Sequence, residues 1–64
     1  MDTFYIPKAR NERTKEVVVY KDLAGRRFLR HELQEVDELA DALALQYTER
    51  TRELWIGFVD SYTA

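Results

Sequence analysis

The sequence has no cysteine, one proline and two glycines among its 64 residues. Without cysteine, the chain has neither a disulfide framework nor a thiolate metal site, which are the usual supplements of small scaffolds. A domain of this size buries only about 60% of the surface that its unfolded chain exposes. We therefore expect a single domain over residues 1–64, whose stability depends on its core or on assembly with another chain.

The residue types that carry catalysis are equally scarce. His31 and Ser61 are the only histidine and the only serine, and the sequence around Ser61 does not resemble a nucleophile turn. Glu35, Glu38 and Asp41 at helical spacing would need further ligands from elsewhere to hold a metal ion. We expect no catalytic residue, no metal site and no cofactor, and hence a protein that is not an enzyme.

Long apolar runs are also absent. No stretch of 18 apolar residues occurs, and the first ten residues lack the charged and apolar regions of a secretory signal. The composition, with 45% hydrophobic and 34% charged residues, is typical of a folded globular protein. We therefore expect a cytoplasmic protein without a membrane segment.

Segments rich in β-branched and aromatic residues predict strands. The first covers residues 3–6 and ends at Pro7, which cannot donate to a ladder. The second, residues 16–20, is the most concentrated. A short third strand over residues 26–30 is expected after a turn that includes Gly25, and the polar residues 8–15 are expected to form a loop or a hairpin tip.

A single amphipathic helix is predicted over residues 32–49, because apolar residues recur there at spacings of three and four. Its apolar stripe consists of Leu33, Val36, Leu39, Ala40, Leu43, Ala44 and Tyr47. A final strand over residues 53–60 follows, rich in strong strand formers. The predicted class is α+β, an antiparallel sheet of three to four strands with the helix packed on one face, in the order β-β-β-α-β.

One helix covers only one face of such a sheet, so the side chains of the strands must be divided between two faces. The larger apolar set is assigned to the helix side: Phe4, Ile6, Val17, Val19, Leu54, Ile56 and Phe58. The second face then carries Tyr5, Val18, Tyr20, Trp55 and Val59. This second cluster is either a semi-exposed satellite covered by arginine stems or an interface rich in Trp and Tyr.

Charge is divided unevenly along the chain. Residues 1–31 carry eight Lys and Arg against four acids, and residues 32–64 carry two against eight. A nucleic-acid surface is one interpretation of the basic half, formed by Lys8, Arg10, Arg13, Lys15, Arg26, Arg27 and Arg30. The net charge of −2 gives no long-range attraction to a polyanion, so the alternative is that these cations pair with acids of the chain.

Leu45 projects from the acidic outer face of the predicted helix, where it would suit contact with a basic partner. The leading hypothesis is a small non-enzymatic protein-binding module, an accessory or inhibitory protein that occupies a surface of another protein or pairs with itself as a homodimer. Its expected anchors are Trp55, Tyr20 and Tyr5, with nucleic acid binding as the alternative function.

Overall fold

A computed structural model describes residues 2–20 and 28–63 of the chain. It contains an antiparallel three-stranded sheet with one long helix packed on it, which confirms the predicted α+β class. The elements are strand β1 (Thr3–Asn11), strand β2 (Val17–Val19), a 3-10 helix (Arg30–Glu32), helix α1 (Leu33–Thr51) and strand β3 (Trp55–Thr63). The strand order is β2-β1-β3, so β1 is central and pairs with both neighbours.

Strand β1 is five residues longer than the predicted strand, which ended at Ile6, because it continues through Pro7. The carbonyl oxygen of Pro7 accepts a hydrogen bond from the N–H of Tyr20 at 3.0 Å, so the proline nitrogen also faces the β2 side. Proline has no N–H to donate, but this position lies just beyond the last pair of the ladder with β2, Lys8 with Val19, so no ladder hydrogen bond is lost. Toward β3, Pro7 lies opposite Val59 at a position that requires no donor from it.

The connection between β1 and β2 is a hairpin tip at residues 12–16, which differs from the loop or tip predicted over residues 8–15 because residues 8–11 belong to β1. Asn11 organises this tip. The Asn11 side-chain oxygen accepts hydrogen bonds from the N–H groups of Arg13 and Thr14 at 2.8 and 3.0 Å. Its amide nitrogen donates to Glu53 at 3.3 Å, and its backbone N–H donates to the carbonyl of Glu16 at 2.8 Å. These bonds explain how a polar side chain is accommodated with only 2% of its surface exposed.

The third predicted strand, residues 26–30, is largely absent from the described part of the chain. Only Phe28 pairs there, through an isolated bridge to Tyr5 in which the Tyr5 N–H donates to the Phe28 carbonyl at 2.9 Å. Arg30 already begins the 3-10 helix. The turn predicted at Gly25, together with Arg26 and Arg27, lies outside the described residues.

Helix α1 confirms the predicted stripe, because its buried residues are Val36, Ala40, Leu43 and Ala44. Arg52 ends the helix in the left-handed region at φ 60°, and its N–H donates to the carbonyl of Thr48. The helix therefore extends two residues beyond the predicted end at residue 49.

The assignment of the sheet faces was wrong, and the two sets are exchanged. Ala9 and Trp55 are buried beside Leu43 and Ala44 of the helix, with Val18, Tyr20 and Tyr47 packed against them. Since side chains alternate along a strand, Tyr5 and Val59 also lie on the helix side. The face that the helix leaves uncovered is the one that carries Phe4, Ile6, Val17, Val19, Ile56 and Phe58. Leu54, also predicted to lie under the helix, precedes β3 and is 61% exposed.

The reason for the exchange is how close the helix lies to the sheet. A β-carbon built at Gly57 would lie 2.5 Å from the carbonyl oxygen of Ala40, so the helix backbone occupies the space that a side chain would need. The cross-strand partner of Gly57 is Ala9, which is fully buried. The sheet face with small residues at its centre admits the helix, whereas the face with Ile56 and Phe58 would hold it away.

We expect the substitution Gly57→Ala to destabilise the protein by about 1–3 kcal/mol, because the added methyl group meets helix backbone that cannot rotate away. Urea denaturation followed by circular dichroism measures the loss. The matched control is Ser61→Ala, on the same strand and face but exposed, which should change the free energy of unfolding by less than about 0.5 kcal/mol. Equal effects of the two substitutions would contradict the close approach.

Candidate functional site

The uncovered side of the sheet, which we call the open face, is an apolar surface that the described helix α1 leaves accessible. It consists of Phe4, Ile6, Lys8, Arg10, Val17, Val19, Ile56, Phe58, Asp60 and Tyr62. Val17 and Ile56 expose 46% and 45% of their surfaces, and Tyr62 exposes 36%. No described helix packs on this face.

The registers of the two ladders determine how the open face is arranged. Arg10 lies between Val17 of β2 and Ile56 of β3, and Lys8 lies between Val19 and Phe58. Each cation of the central strand is therefore flanked by apolar side chains on both sides. At the other end of the face, the rings of Phe4 and Tyr62 pack with their centroids 5.5 Å apart.

The charges of the open face are paired within the chain. The Lys8 ammonium donates to the Asp60 carboxylate at 2.6 Å, and the Arg10 guanidinium lies 3.1 Å from the Glu12 carboxylate. The hydrogen bond from Lys8, the backbone N–H of Ser61 and the positive charge of Lys8 lower the pKa of Asp60 below its ordinary value of 3.8. The face therefore presents no excess charge of either sign to a partner.

Trp55, the expected anchor of a partner, is instead a core residue. Only 5% of its surface is exposed, and its ring packs against that of Tyr47 with centroids 4.9 Å apart. Its indole N–H donates to the hydroxyl of Thr51 at 2.9 Å, and its backbone N–H donates to the hydroxyl of Thr48 at 3.1 Å. Both N–H groups of Trp55 are thus satisfied by the last turns of α1, which leaves neither donor for a partner.

The other predicted contact residues are distributed between core and surface. Tyr5, Val18, Tyr20 and Val59 lie half-buried on the helix side of the sheet. Leu45 lies on α1 with 59% of its surface exposed, as the sequence predicted for an outward position. The partner-binding role of these residues remains a prediction, but only Leu45 has a side chain largely exposed to solvent.

The basic residues proposed for nucleic acid are not gathered into one surface in the described part of the chain. Lys8 and Arg10 have acidic partners on the open face, and Arg13 contacts Glu53 at 2.6 Å. Arg30 lies near Tyr5, at the opposite end of β1 from Lys15 in the hairpin tip. Nucleic acid binding therefore remains a prediction that the described geometry does not strengthen.

The open face could have been found from the sequence by continuing the alternation of β1 beyond Pro7. Lys8 and Arg10 follow Phe4 and Ile6 at every second position, and two charged side chains mark that face as the one accessible to water. The second signal is the pair of small residues on the other face, Ala9 and Gly57. Neither signal is visible when β1 is ended at the proline.

Comparison with protein families, with curated proteins and with solved structures gives no significant match to this chain. Among residues 2–20 and 28–63, no helix has both the length and the apolar composition that crossing a bilayer requires. Within the same residues, no three His, Asp or Glu side chains are grouped so that they could hold a metal ion. The proposals below therefore rest on the geometry of the sheet and helix.

The pKa of Asp60 tests the ion pair at the centre of the open face. In the wild type, an NMR titration of the carboxyl carbon should have its midpoint below 3.8, and Lys8→Met should raise it because the largest stabilising contact is lost. Because the folded-state pKa is lowered, the pair stabilises the fold above pH 3.8, and its contribution is lost as the pH falls through the midpoint. Arg10→Met, which removes a cation bound to Glu12, should leave the midpoint of Asp60 unchanged.

The exchange of faces is tested by comparing neighbouring positions of β3. Trp55→Ala should lower the free energy of unfolding by about 3–5 kcal/mol, because it removes a buried aromatic ring. Ile56→Ala, at a side chain that is 45% exposed, should cost less than about 1.5 kcal/mol. Chemical denaturation of both variants gives the comparison, and a larger loss at Ile56 than at Trp55 would contradict the observed faces.

Proposed function

We propose that this chain is a small non-enzymatic protein-binding module that contacts its partner through the open face of its sheet. The observation that carries the proposal is that α1 covers one side of the sheet while an apolar, partly aromatic face remains on the other. Contiguous apolar patches of this kind mark interaction surfaces on soluble proteins. We further propose that the module is an accessory or inhibitory protein of the cytoplasm.

The partner that best suits the open face is a second copy of the chain. The charges of this face are paired within the chain as Lys8 with Asp60 and Arg10 with Glu12, so two copies can meet without net repulsion. Sheets pack face to face at about 10 Å with their inner side chains interdigitated, as in a β-sandwich. Burying this face would also stabilise a domain that has no disulfide to supplement its small core.

The size of the open face predicts a reversible dimer. A nine-residue strand is about 30 Å long, and the outer strands of a three-stranded sheet lie about 10 Å apart. Such a face provides less than the roughly 800 Å² that each partner contributes to a standard interface. We therefore expect dissociation at low concentration.

Size-exclusion chromatography with light scattering over a concentration series tests the dimer. The wild type should approach twice the 7.6 kDa monomer mass as concentration rises. The double variant Val17→Thr/Ile56→Thr should remain monomeric, because it removes apolar surface while keeping residues that favour strands. The matched control is Leu45→Gln, which removes an exposed leucine from the helix and should leave the dimer intact.

A wild type that stays monomeric at every concentration would exclude the second copy as the occupant of the open face. Affinity capture from the native host would then compare wild type with Val17→Thr/Ile56→Thr, after circular dichroism has shown that both are folded. A partner retained equally by both proteins would refute the open face as the binding surface.

A further inference from the structure

Strand β3 is an edge strand, and the described contacts determine which of its backbone groups face outward. The N–H of Asn11 donates to Glu16 on the β2 side, so its partner in β3, Trp55, directs its N–H and C=O away from β1. Because the direction alternates along a strand, Gly57, Val59 and Ser61 do the same. These residues form the outer edge of the sheet, with which no described strand pairs.

The two ends of this edge are already occupied by side chains. The N–H of Trp55 donates to the hydroxyl of Thr48, and the N–H of Ser61 donates to the carboxylate of Asp60 at 2.9 Å. Between them, no strand or side chain among residues 2–20 and 28–63 is seen to bind the outward N–H and C=O groups of Gly57 and Val59, so these groups can pair with an added strand. Proteins usually protect such an edge, so an available central segment is a template for another chain.

An acidic flank of α1 lies beside this edge. Two contacts show that this flank is beside the edge. The hydroxyl of Thr48 binds the outward N–H of Trp55. The backbone nitrogen of Asp41 lies 2.9 Å from a β-carbon built at Gly57. Asp37, Asp41, Leu45 and Thr48 follow one another at spacings of three and four, so they share this side of the helix. Both aspartates and Leu45 are exposed.

We propose that the outer edge of β3 binds an extended basic segment of a partner protein as an added strand. Partner residues opposite Gly57 and Val59 would point to the helix side, where Asp37 and Asp41 favour lysine or arginine. The partner residue opposite Phe58 would point to the open-face side, where an apolar side chain fits. The recognised pattern is therefore an alternation of basic and apolar residues.

A second copy of the chain suits this edge poorly, although the backbone alone would permit it. Pairing β3 with its own copy about Phe58 would match Gly57 of one chain with Val59 of the other. The same arrangement would bring the acidic flanks of two α1 helices side by side, with Asp37 and Asp41 of each copy near those of the other. Like charges so placed oppose association, whereas a basic strand is attracted.

The test uses a labelled peptide of about ten residues that alternates arginine with valine, titrated into the isotopically labelled protein. We expect the amide resonances of Gly57 and Val59 to shift and their hydrogen exchange to slow, with affinity falling as salt is raised. A peptide that alternates glutamate with valine should not bind. A peptide of the first composition with its arginines grouped at one end should bind several-fold more weakly.

Two pairs of variants identify the determinants on the protein. Asp37→Asn/Asp41→Asn should weaken binding by about five- to tenfold at low salt and reduce its salt dependence. The control Glu16→Gln removes an exposed acid on the β2 side of the sheet, away from the edge, and should bind like the wild type, whereas the single change Asp41→Asn should already weaken binding. Val59→Pro, which removes an outward N–H, should abolish binding, whereas Val59→Ala should retain it.

Equal loss of affinity in Asp41→Asn and Glu16→Gln, or peptide-induced shifts that avoid Gly57 and Val59, would overturn the inference. Shifts of these amides with protein concentration alone would assign the edge to a second copy and would overturn it as well. The inference deepens the proposed function but uses a different surface. Val17→Thr/Val19→Thr, which changes only β2 on the far side of β1, should impair the open-face contact but bind the peptide normally, so loss of the open-face contact and loss of edge binding are distinguishable.

Discussion

The close approach of α1 to the centre of the sheet is the constraint on which the rest of the structure depends. Gly57 provides no side chain, Ala9 opposite it provides one methyl group, and the backbone at Ala40 fills the space between the layers. Larger residues then pack around this contact, with Trp55 against Tyr47 and the last turns of the helix. The choice of face follows from this geometry, because the side of the sheet with Ile56 and Phe58 cannot be approached so closely.

The two proposed binding surfaces are the parts of the sheet that the helix does not cover. In the described part of the chain, the sheet is covered by α1 on one side only, and the outermost strand β3 has backbone groups that face away from β1. On the open face, the charges of the central strand are neutralised by acids of the same chain, which favours a partner of similar, uncharged character. At the edge of β3, the neighbouring charges are the exposed carboxylates of α1, which favour a cationic one. One fold of this size therefore offers two surfaces of different chemistry.

The sequence predicted the elements of the fold more successfully than their orientation. The stripe of α1 and the strand character of β2 and β3 follow from local periodicity and residue type, and these predictions are confirmed. Assigning the larger set of apolar side chains to the helix side gave the wrong face, because the small residues Ala9 and Gly57 decide where the helix packs. The continuation of β1 beyond Pro7 was not predicted, because a proline has no N–H to donate to a ladder. The structure shows that no donor is needed at Pro7, since its nitrogen lies where the ladder with β2 ends. The hydrogen bonds of Asn11 likewise depend on the folded hairpin, although the polar tip itself was predicted.

The contacts of this fold differ in the conformational entropy that the chain loses when they form, and the bonds of the Thr48 and Thr51 hydroxyl groups are among the least costly. Their bonds to Trp55 join residues only seven and four positions apart, so the corner between α1 and β3 closes at small entropic cost. The ladder between β1 and β3 instead joins residues as distant as Thr3 and Thr63, which are 60 positions apart. Because closure entropy rises with the logarithm of the separation, pairing β1 with β3 costs more entropy than closing the corner between α1 and β3.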